Sequence, residues 1–243
     1  GDRAQALARF QRERQLLARL EHRNIAALLD GGITERDEPY FIMEYVEGKA
    51  IDAWCDARHL GLRERLALFR QVCAAVQYAH EHLVIHRDLK PGNIFVAADG
   101  TVKLLDFGIA KLADPTVAEA ETLTQTGALP MTVAYASPEQ LRGDEVTTAS
   151  DIYSLGVVLY ELLTGVRPFP AGSRGAALLD RGVPTAPSRA ESEGAEAGSA
   201  PDIAARWRRT LAGDVDSIVL MALRPEAERR YRSAQQLADD LQR

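Results

Sequence analysis

Apolar positions near the start of the chain recur at helical spacing and predict a helix over residues 4–21. Phe10, Leu17 and Leu20 fall on one face, because steps of three and four residues return to the same side of an α-helix. Glu13 falls on that face as well. A carboxylate there costs free energy unless a cation pairs with it or the side chain reaches water from the edge of the stripe. The pattern alone leaves both arrangements open.

Two short apolar runs, residues 25–30 and 40–46, predict β-strands. The stretch between them contains Gly31, Gly32 and Pro39, which are typical of turns. Gly48 follows the second run and predicts a flexible joint to the rest of the chain.

The middle of the chain predicts a long helix followed by a hairpin. Residues 62–82 form an amphipathic helix whose apolar stripe contains Leu62, Leu66, Phe69, Cys73 and Val76. Two strand-like runs, residues 93–97 and 102–105, are separated by Asp99-Gly100, a pair that favours a hairpin turn. The polar stretch 108–135 has no clear period, and so long a loop in a compact domain is usually functional or disordered.

Residues 148–164 are apolar nearly all round and predict a helix buried in the core. The stretch 184–201 is rich in Pro, Ser, Ala, Glu and Gly and predicts a mobile insertion. Further helical patterns cover residues 202–212, 214–223 and 233–242. The order of elements predicts a small mixed lobe followed by a larger helical lobe.

Composition excludes several classes of protein. With 46% hydrophobic and 26% charged residues, the chain is typical of a globular protein, and its net charge of −6 gives no general attraction to nucleic acid. No apolar run reaches the roughly 18 residues of a membrane span, and the start has no signal-peptide pattern. Cys55 and Cys73 are too few for a disulfide framework and indicate free thiols in a reducing compartment.

Four polar side chains cluster on short loops around the predicted hairpin: Asp88, Lys90, Asn93 and Asp106. Asn93 and Asp106 offer the oxygen ligands that magnesium prefers. Asp88 could orient a hydroxyl group and accept its proton, while Lys90 could neutralise charge on a phosphoryl group in transfer. Each residue alone has an ordinary structural explanation, and the joint spacing carries the prediction.

The same residues belong to a series of motifs: "HRDLKPGN" (86–93), "DFG" (106–108), "SPE" (137–139), "SDIYSLG" (150–156) and "ERRY" (228–231). In this order they resemble the protein kinase family, and the chain is similar to bacterial serine/threonine kinases of the eukaryotic-like type from its first helix onward. The resemblance implies an α+β, bilobal kinase fold. It places an incomplete small β lobe at residues 1–47 and a complete large helical lobe at residues 48–243.

The resemblance also implies roles for the catalytic residues. Asp88 would be the catalytic base, and Lys90 would contact the γ-phosphate of ATP in the Asp-x-Lys form of serine/threonine kinases. Asn93 and Asp106 would hold Mg²⁺. Thr132 would lie by the acceptor site and hydrogen-bond toward Asp88.

A second group of roles concerns the nucleotide. Met43 would lie at the back of the adenine pocket, and the backbone of Glu44 and Val46 would hydrogen-bond adenine. Glu13 would be the helix carboxylate that pairs with a strand lysine. The implied cofactors are ATP and Mg²⁺.

The resemblance further implies contacts that organise the activation segment. Arg87 would pair with a phosphorylated residue of the loop 109–136, for which the candidates are Thr122, Thr124 and Thr126. Glu139 would pair with Arg230, and Asp151 would hold the backbone of the His86–Arg87 turn.

Two family features are absent from these 243 residues: the glycine-rich phosphate loop, and the strand lysine that would pair with Glu13. The chain also begins Gly-Asp-Arg without Met. We expect an N-terminally truncated kinase domain whose phosphotransfer is weak or absent as given, since an open site exposes the phosphates to water. A pseudokinase or scaffold module that binds protein partners without phosphotransfer is the alternative.

Other classes fit the residues less well. Small-molecule kinases lack the "DFG…SPE" segment, and His80 and His82 are two residues apart on a helix, where they would not face each other as metal ligands. We expect protein substrates with Ser or Thr, no nucleic acid, self-association for autophosphorylation, and a cytoplasmic location that includes the cytoplasmic part of a membrane-anchored protein.

Overall fold

A computed structural model describes residues 14–35, 39–107, 131–169, 182–190 and 203–243. Within these residues it has five strands: β1 (Leu28–Ile33), β2 (Pro39–Met43), β3 (Gly48–Ala50), β4 (Ile94–Ala97) and β5 (Val102–Leu104). Its helices are α1 (Ile51–Ala57), α2 (Leu62–Glu81), α3 (Pro138–Arg142), α4 (Thr148–Thr164), α5 (Ile203–Leu211), α6 (Asp214–Ala222) and α7 (Ala234–Gln242). Short 3₁₀ turns lie at Pro91–Asn93, Met131–Tyr135, Pro187–Arg189 and Ala227–Arg229.

The first part of the chain contributes a two-stranded antiparallel sheet. Residues 14–17 are helical, with Leu17 and Leu20 buried as the apolar stripe predicts. Strands β1 and β2 pair in a register that sets Gly31 opposite Phe41. The strands lie within or close to the predicted runs, but β2 ends at Met43, and residues 44–47 belong to no strand.

Gly48 is a strand residue, which corrects the prediction of a flexible joint. Strand β3 pairs with β4, and β4 pairs with β5, to form a three-stranded antiparallel sheet. Gly48 lies opposite Ala97, and a Cβ atom at Gly48 would come within 2.6 Å of the Val96 carbonyl oxygen. The glycine is therefore needed for the close approach of two backbones rather than for mobility.

Helix α4 is the centre of the helical part, and its bounds match the predicted 148–164. Thr147 caps its start and Gly165, in the left-handed conformation, ends it. Nearly every side chain between these residues is buried. At Gly156 helix α4 meets α6 so closely that an added Cβ would lie 2.9 Å from the Ala222 Cβ.

Helix α2 links the helical part to the segment before β1. Its apolar stripe is buried at Phe69, Cys73 and Val76, as predicted. The Asn24 side-chain amide donates to the Val102 carbonyl oxygen at 2.8 Å and to the Gln71 side-chain oxygen of α2 at 3.1 Å. These hydrogen bonds join the first part of the chain to strand β5 and to α2.

The prediction of a mobile insertion over 184–201 is wrong for its first part. Pro187 and Ser188 are buried, and the Ser188 backbone N–H and hydroxyl group both donate to the carboxylate of Asp216 in α6. The polar composition indicated an exposed segment, but the hydrogen bonds to Asp216 of α6 allow the polar groups of Ser188 to be buried. Residues 191–201 lie outside the described part of the chain.

No helix among the described residues is long and apolar enough to cross a membrane.

Candidate active site

The catalytic turn, which we define as residues 84–90, runs between helix α2 and the Pro91–Asn93 turn before strand β4. Arg87 within the turn adopts a positive φ angle of 67°, as do Leu83 directly before the turn, at 61°, and Asp106 just after β5, at 45°. Residues other than glycine rarely adopt this backbone conformation, because it costs about 1–3 kcal/mol that surrounding contacts must offset. Contacts from other elements must therefore hold the turn in place.

Asp151, in the first turn of α4, provides the main anchor. One carboxylate oxygen, Oδ2, accepts the backbone N–H of His86 at 2.8 Å, and Oδ1 accepts that of Arg87 at 2.9 Å. The Nε2 atom of His80, at the end of α2, also lies 2.7 Å from Oδ2. The predicted contact with the His86–Arg87 backbone is present, while the contact from His80 was not predicted from the sequence.

His86 connects the catalytic turn to the segment after strand β5. Burial lowers the pKa of His86, although the Asp151 carboxylate and the hydrogen bond to Leu105 oppose the shift. The neutral ring accepts the Asp88 N–H at Nδ1 (3.3 Å), so Nε2 carries the proton and donates to the Leu105 carbonyl oxygen (2.9 Å). The ring packs on Phe107, with 4.6 Å between ring centroids.

Three of the predicted catalytic residues meet at one carboxylate oxygen. The Lys90 ammonium lies 2.8 Å from Asp88 Oδ2, and the Asn93 amide donates to the same atom at 3.0 Å. Asn93 also donates to the Asp88 backbone carbonyl oxygen at 2.9 Å. The Lys90 ammonium and the neutral Asn93 amide thus hold the Asp88 carboxylate, which remains partly exposed at 12%. An exposed carboxylate held in this way can accept a proton from a substrate hydroxyl group.

Asn93 and Asp106 fit the chemistry of a magnesium site. Because the Asn93 amide nitrogen donates to Asp88, its side-chain oxygen lies on the other side of the amide and has the character of a metal ligand. The backbone carbonyl of Asn93 accepts the Leu105 N–H at 2.8 Å, which brings Asp106 alongside. Among the described residues no group of three or more His, Cys, Asp or Glu could hold a metal ion. A site of one amide and one carboxylate would leave positions for phosphate and water oxygens.

The predicted adenine-binding segment is fixed through Glu44. Its N–H donates to the Ala27 carbonyl oxygen at 2.8 Å, and its carboxylate accepts the Ala27 N–H at 3.1 Å. Lys103 of β5 lies 2.9 Å from both Glu44 carboxylate oxygens. The hydrogen bond from Lys103, followed by that from Ala27, lowers the pKa of Glu44. Since the Glu44 N–H is engaged, a backbone contact from Glu44 to adenine would use the carbonyl oxygen.

The predicted ion pair between Glu139 of α3 and Arg230 is present and buried. The Arg230 guanidinium donates to both carboxylate oxygens, at 2.6 and 2.8 Å, and Ser150 donates to one of them at 2.8 Å. Burial would raise the pKa of Glu139, but the hydrogen bonds from Arg230, the Glu139 backbone N–H and Ser150 together lower it to about 2. The pair joins the end of the activation segment to the helical part.

Several predicted residues lie outside the described part of the chain: Glu13, Thr122, Thr124, Thr126 and the side chain of Thr132. Met43 ends strand β2, and Val46 lies in the segment between β2 and β3. Sequence reasoning missed three residues that position the site: His80, Lys103 and Gln140. The only available signal was a polar side chain next to buried neighbours, which does not identify a partner.

The comparisons with known proteins agree with this geometry. The family described as "Protein kinase domain" matches residues 2–237. "Serine/threonine-protein kinase PknB" of Mycobacterium leprae (strain TN) is 37% identical over 239 residues, which cover 96% of this chain and 35% of that protein. "Serine/threonine-protein kinase PrkC" of Bacillus subtilis (strain 168) is 36% identical over 236 residues, covering 97% of this chain and 33% of that protein. The chain thus spans about a third of the length of these relatives.

A solved structure has the same fold. The crystal structure of Rad53 1-466 in complex with AMP-PNP matches with a TM-score of 0.67 and 26% sequence identity. The match covers 95% of this chain and 53% of that one. The predicted kinase-like fold, with few strands in the small lobe and a helical large lobe, is confirmed by this similarity.

Proposed function

The chain belongs to the protein kinase family, among the serine/threonine kinases, and from that premise we propose that it transfers the γ-phosphoryl group of ATP to Ser or Thr hydroxyl groups of proteins. The observation that carries the proposal is the Asp88 carboxylate, which Lys90 and Asn93 contact at one oxygen within a turn anchored by Asp151. Polar residues on a surface need not be fixed, but here two donors hold the carboxylate of the proposed base, and Asp151 holds the backbone of the turn that carries it.

In the proposed reaction, Asp88 takes up the hydroxyl proton and Lys90 neutralises negative charge. The substrate hydroxyl oxygen forms a bond to the γ-phosphorus, the bond from that phosphorus to the β–γ bridging oxygen breaks, and ADP leaves. The hydroxyl proton passes to Asp88. Lys90 neutralises charge on the transferred group, and the Lys90–Asp88 distance of 2.8 Å places the ammonium beside the base.

Asn93 and Asp106 would hold Mg²⁺, and Met43, the Glu44 carbonyl and Val46 would border adenine. A bound magnesium ion supplies positive charge that orients and neutralises the phosphates. The solved relative that was crystallised with AMP-PNP, a nucleotide, supports this assignment. We further propose that Glu13 completes the nucleotide site.

The activation segment would regulate the site. We propose that a phosphorylated Thr122, Thr124 or Thr126 pairs with Arg87, because a phosphate and a guanidinium form strong charge-assisted hydrogen bonds. Thr132 would lie beside the acceptor hydroxyl group. Modification of this segment by a second copy of the kinase would make self-association part of activation. The free thiols of Cys55 and Cys73 fit a reducing compartment, so we propose the cytoplasm.

Phosphotransfer from radiolabelled ATP tests the proposal directly. We would measure autophosphorylation and transfer to a pool of Ser/Thr peptides, both for the 243-residue chain and for an extended version that carries the glycine-rich loop and strand lysine of a related kinase before Gly1. Asp88→Asn should lower the rate at least about 100-fold, since the acceptor of the proton is lost. Asp99→Asn is the matched control, because Asp99 is an exposed turn residue of the β4–β5 hairpin.

Equal rates for Asp88→Asn and the unchanged protein would remove Asp88 from the proposed role. Nucleotide binding without any transfer in the extended version would favour the scaffold alternative. The difference in rate between the 243-residue chain and the extended version measures how much activity these residues support alone.

A further inference from the structure

The side-chain amide of Gln140 joins the catalytic turn to the start of helix α3. Its oxygen accepts the backbone N–H of Ser137, the N-cap residue, at 3.0 Å and the Ser137 hydroxyl group at 3.2 Å. Its nitrogen donates to the backbone carbonyl oxygen of Arg87 at 2.9 Å. The Gln140 amide therefore contacts Arg87, which is 53 positions away in the sequence, and Ser137, which is three positions away.

The orientation of this amide follows from its partners. The backbone N–H of Ser137 can only donate, and the Arg87 carbonyl can only accept. A rotated amide would face a donor with a donor and an acceptor with an acceptor. Both contacts therefore depend on glutamine at this position, and a side chain without the N–H group loses the contact to Arg87.

The Arg87 carbonyl belongs to the peptide group that leads into Asp88. The carbonyl end of this group is held by Gln140, and its N–H end, at Asp88, is held by His86 Nδ1 at 3.3 Å. A peptide group is planar, so fixing both ends fixes the orientation of the plane and of the Asp88 Cα atom attached to it. Arg87 has φ at 67°, a conformation that is costly for a residue with a side chain and that persists only where surrounding contacts hold it.

The start of α3 is itself firmly attached to the helical part of the protein. Glu139, the residue before Gln140, pairs with Arg230 and Ser150. Neighbouring helical residues point about 100° apart, so these two side chains leave the helix in different directions. Gln140 thus connects an anchored turn at the end of the activation segment to the peptide group that carries Asp88.

We propose that Gln140 is a positioning residue for phosphotransfer, acting through the Arg87–Asp88 peptide group to hold the Asp88 carboxylate at the acceptor hydroxyl group. The proposal rests on the function proposed above. It concerns the orientation of the base rather than the binding of ATP, so it predicts a lower kcat with little change in KM for ATP.

The test compares Gln140→Glu with Ser137→Ala in the 243-residue chain and in the extended version described above. Gln140→Glu keeps an oxygen for the Ser137 N–H but places a carboxylate oxygen against the Arg87 carbonyl. We expect kcat to fall about tenfold, the effect of losing one hydrogen bond and adding repulsion. Ser137→Ala removes the hydroxyl contact to Gln140 and leaves the contact to Arg87, so kcat should stay within about twofold.

A second measurement does not depend on catalysis. Hydrogen exchange followed by mass spectrometry would report the amides of the catalytic turn in the 243-residue chain. Gln140→Glu should speed exchange of the peptide covering residues 84–90 about tenfold, while Ser137→Ala should not. If Gln140→Glu fails to fold, Gln140→Met removes the amide without adding charge and is measured in its place.

Unchanged exchange at residues 84–90, or a rise in KM without a fall in kcat, would overturn the proposal. Equal losses in Ser137→Ala and Gln140→Glu would assign the effect to the helix cap and overturn it as well. If Gln140→Glu exchanges faster but the unchanged protein transfers no phosphate, the contact from Gln140 to Arg87 does hold the turn. The proposed function is then rejected instead.

Discussion

His80 and Asp151, 71 residues apart in the sequence, meet at 2.7 Å between the imidazole Nε2 and the carboxylate Oδ2. The same carboxylate accepts the backbone N–H groups of His86 and Arg87. Since a carboxylate only accepts hydrogen bonds, His80 is the donor in this pair. One buried side chain thereby joins helix α2, helix α4 and the catalytic turn, and the position of the turn depends on its charge and its two oxygens.

Replacing Asp151 by asparagine should disturb this junction. The amide retains one acceptor oxygen, and its NH₂ group would face a backbone N–H. We expect the free energy of unfolding to fall by about 2–4 kcal/mol, because a buried donor loses its partner, and kcat to fall with it. Urea unfolding and phosphotransfer rates measure both effects.

Asp214→Asn, at the exposed first turn of α6, is the control and should change the free energy of unfolding by less than about 0.5 kcal/mol. Wild-type stability in Asp151→Asn would contradict the prediction.

The Glu139–Arg230 pair should show strong energetic coupling. Arg230→Met leaves a buried carboxylate without its main partner, and we expect a loss of about 3–5 kcal/mol of stability. Glu139→Met should also destabilise, yet the double variant should lose less than the sum of the single losses. Chemical denaturation of the four proteins gives the coupling energy. Additive losses would show that the pair contributes no coupling.

Stability should decrease as the pH falls below the ordinary pKa of histidine. Burial keeps the folded-state pKa of His86 below 6.5, so between that folded pKa and 6.5 the unfolded chain binds more protons than the folded protein. Below pH 6.5 the free energy of unfolding therefore falls by at most about 1.4 kcal/mol per pH unit because of this residue. Urea unfolding at pH 7.5 and 5.5 measures it, and His86→Gln should show a smaller change between the two values. An equal change in both proteins would reject the assignment to His86.

Leu83→Gly should stabilise the protein. Leu83 follows the C-terminus of α2 with φ at 61° and is 85% exposed. The Val84 N–H donates to the Ala79 carbonyl oxygen, and the Leu83 N–H donates to the His80 carbonyl oxygen. These two hydrogen bonds form the helix-ending motif in which glycine is preferred at the position of Leu83. We expect a gain of about 0.5–1 kcal/mol, since glycine adopts this conformation without strain and little apolar contact is lost.

Thermal or urea unfolding of Leu83→Gly measures the gain, and Leu83→Ala is the matched control because it shortens the side chain without relieving the backbone. A similar stability for the alanine and glycine variants would mean that the positive φ angle costs little.

The amino-acid sequence alone was sufficient to predict the main elements and the clustering of Asp88, Lys90 and Asn93. The all-apolar run at 148–164, the stripe of the second helix and the Asp99-Gly100 turn each correspond to an observed element, because periodicity records which side of an element is buried. Asp88, Lys90 and Asn93 are separated by only a few residues, so a short turn is enough to bring them together.

Only the tertiary structure decided which residues distant in the sequence hold the parts of the candidate site in place. Gln140 meets Arg87, Lys103 meets Glu44 and His80 meets Asp151 across 53, 59 and 71 residues of sequence. Gly48 likewise proved to be a strand residue because of the Val96 backbone opposite it. A pattern of polar and apolar positions encodes burial along one element, whereas a hydrogen-bond partner depends on how separate elements pack, and that is a property of the folded chain.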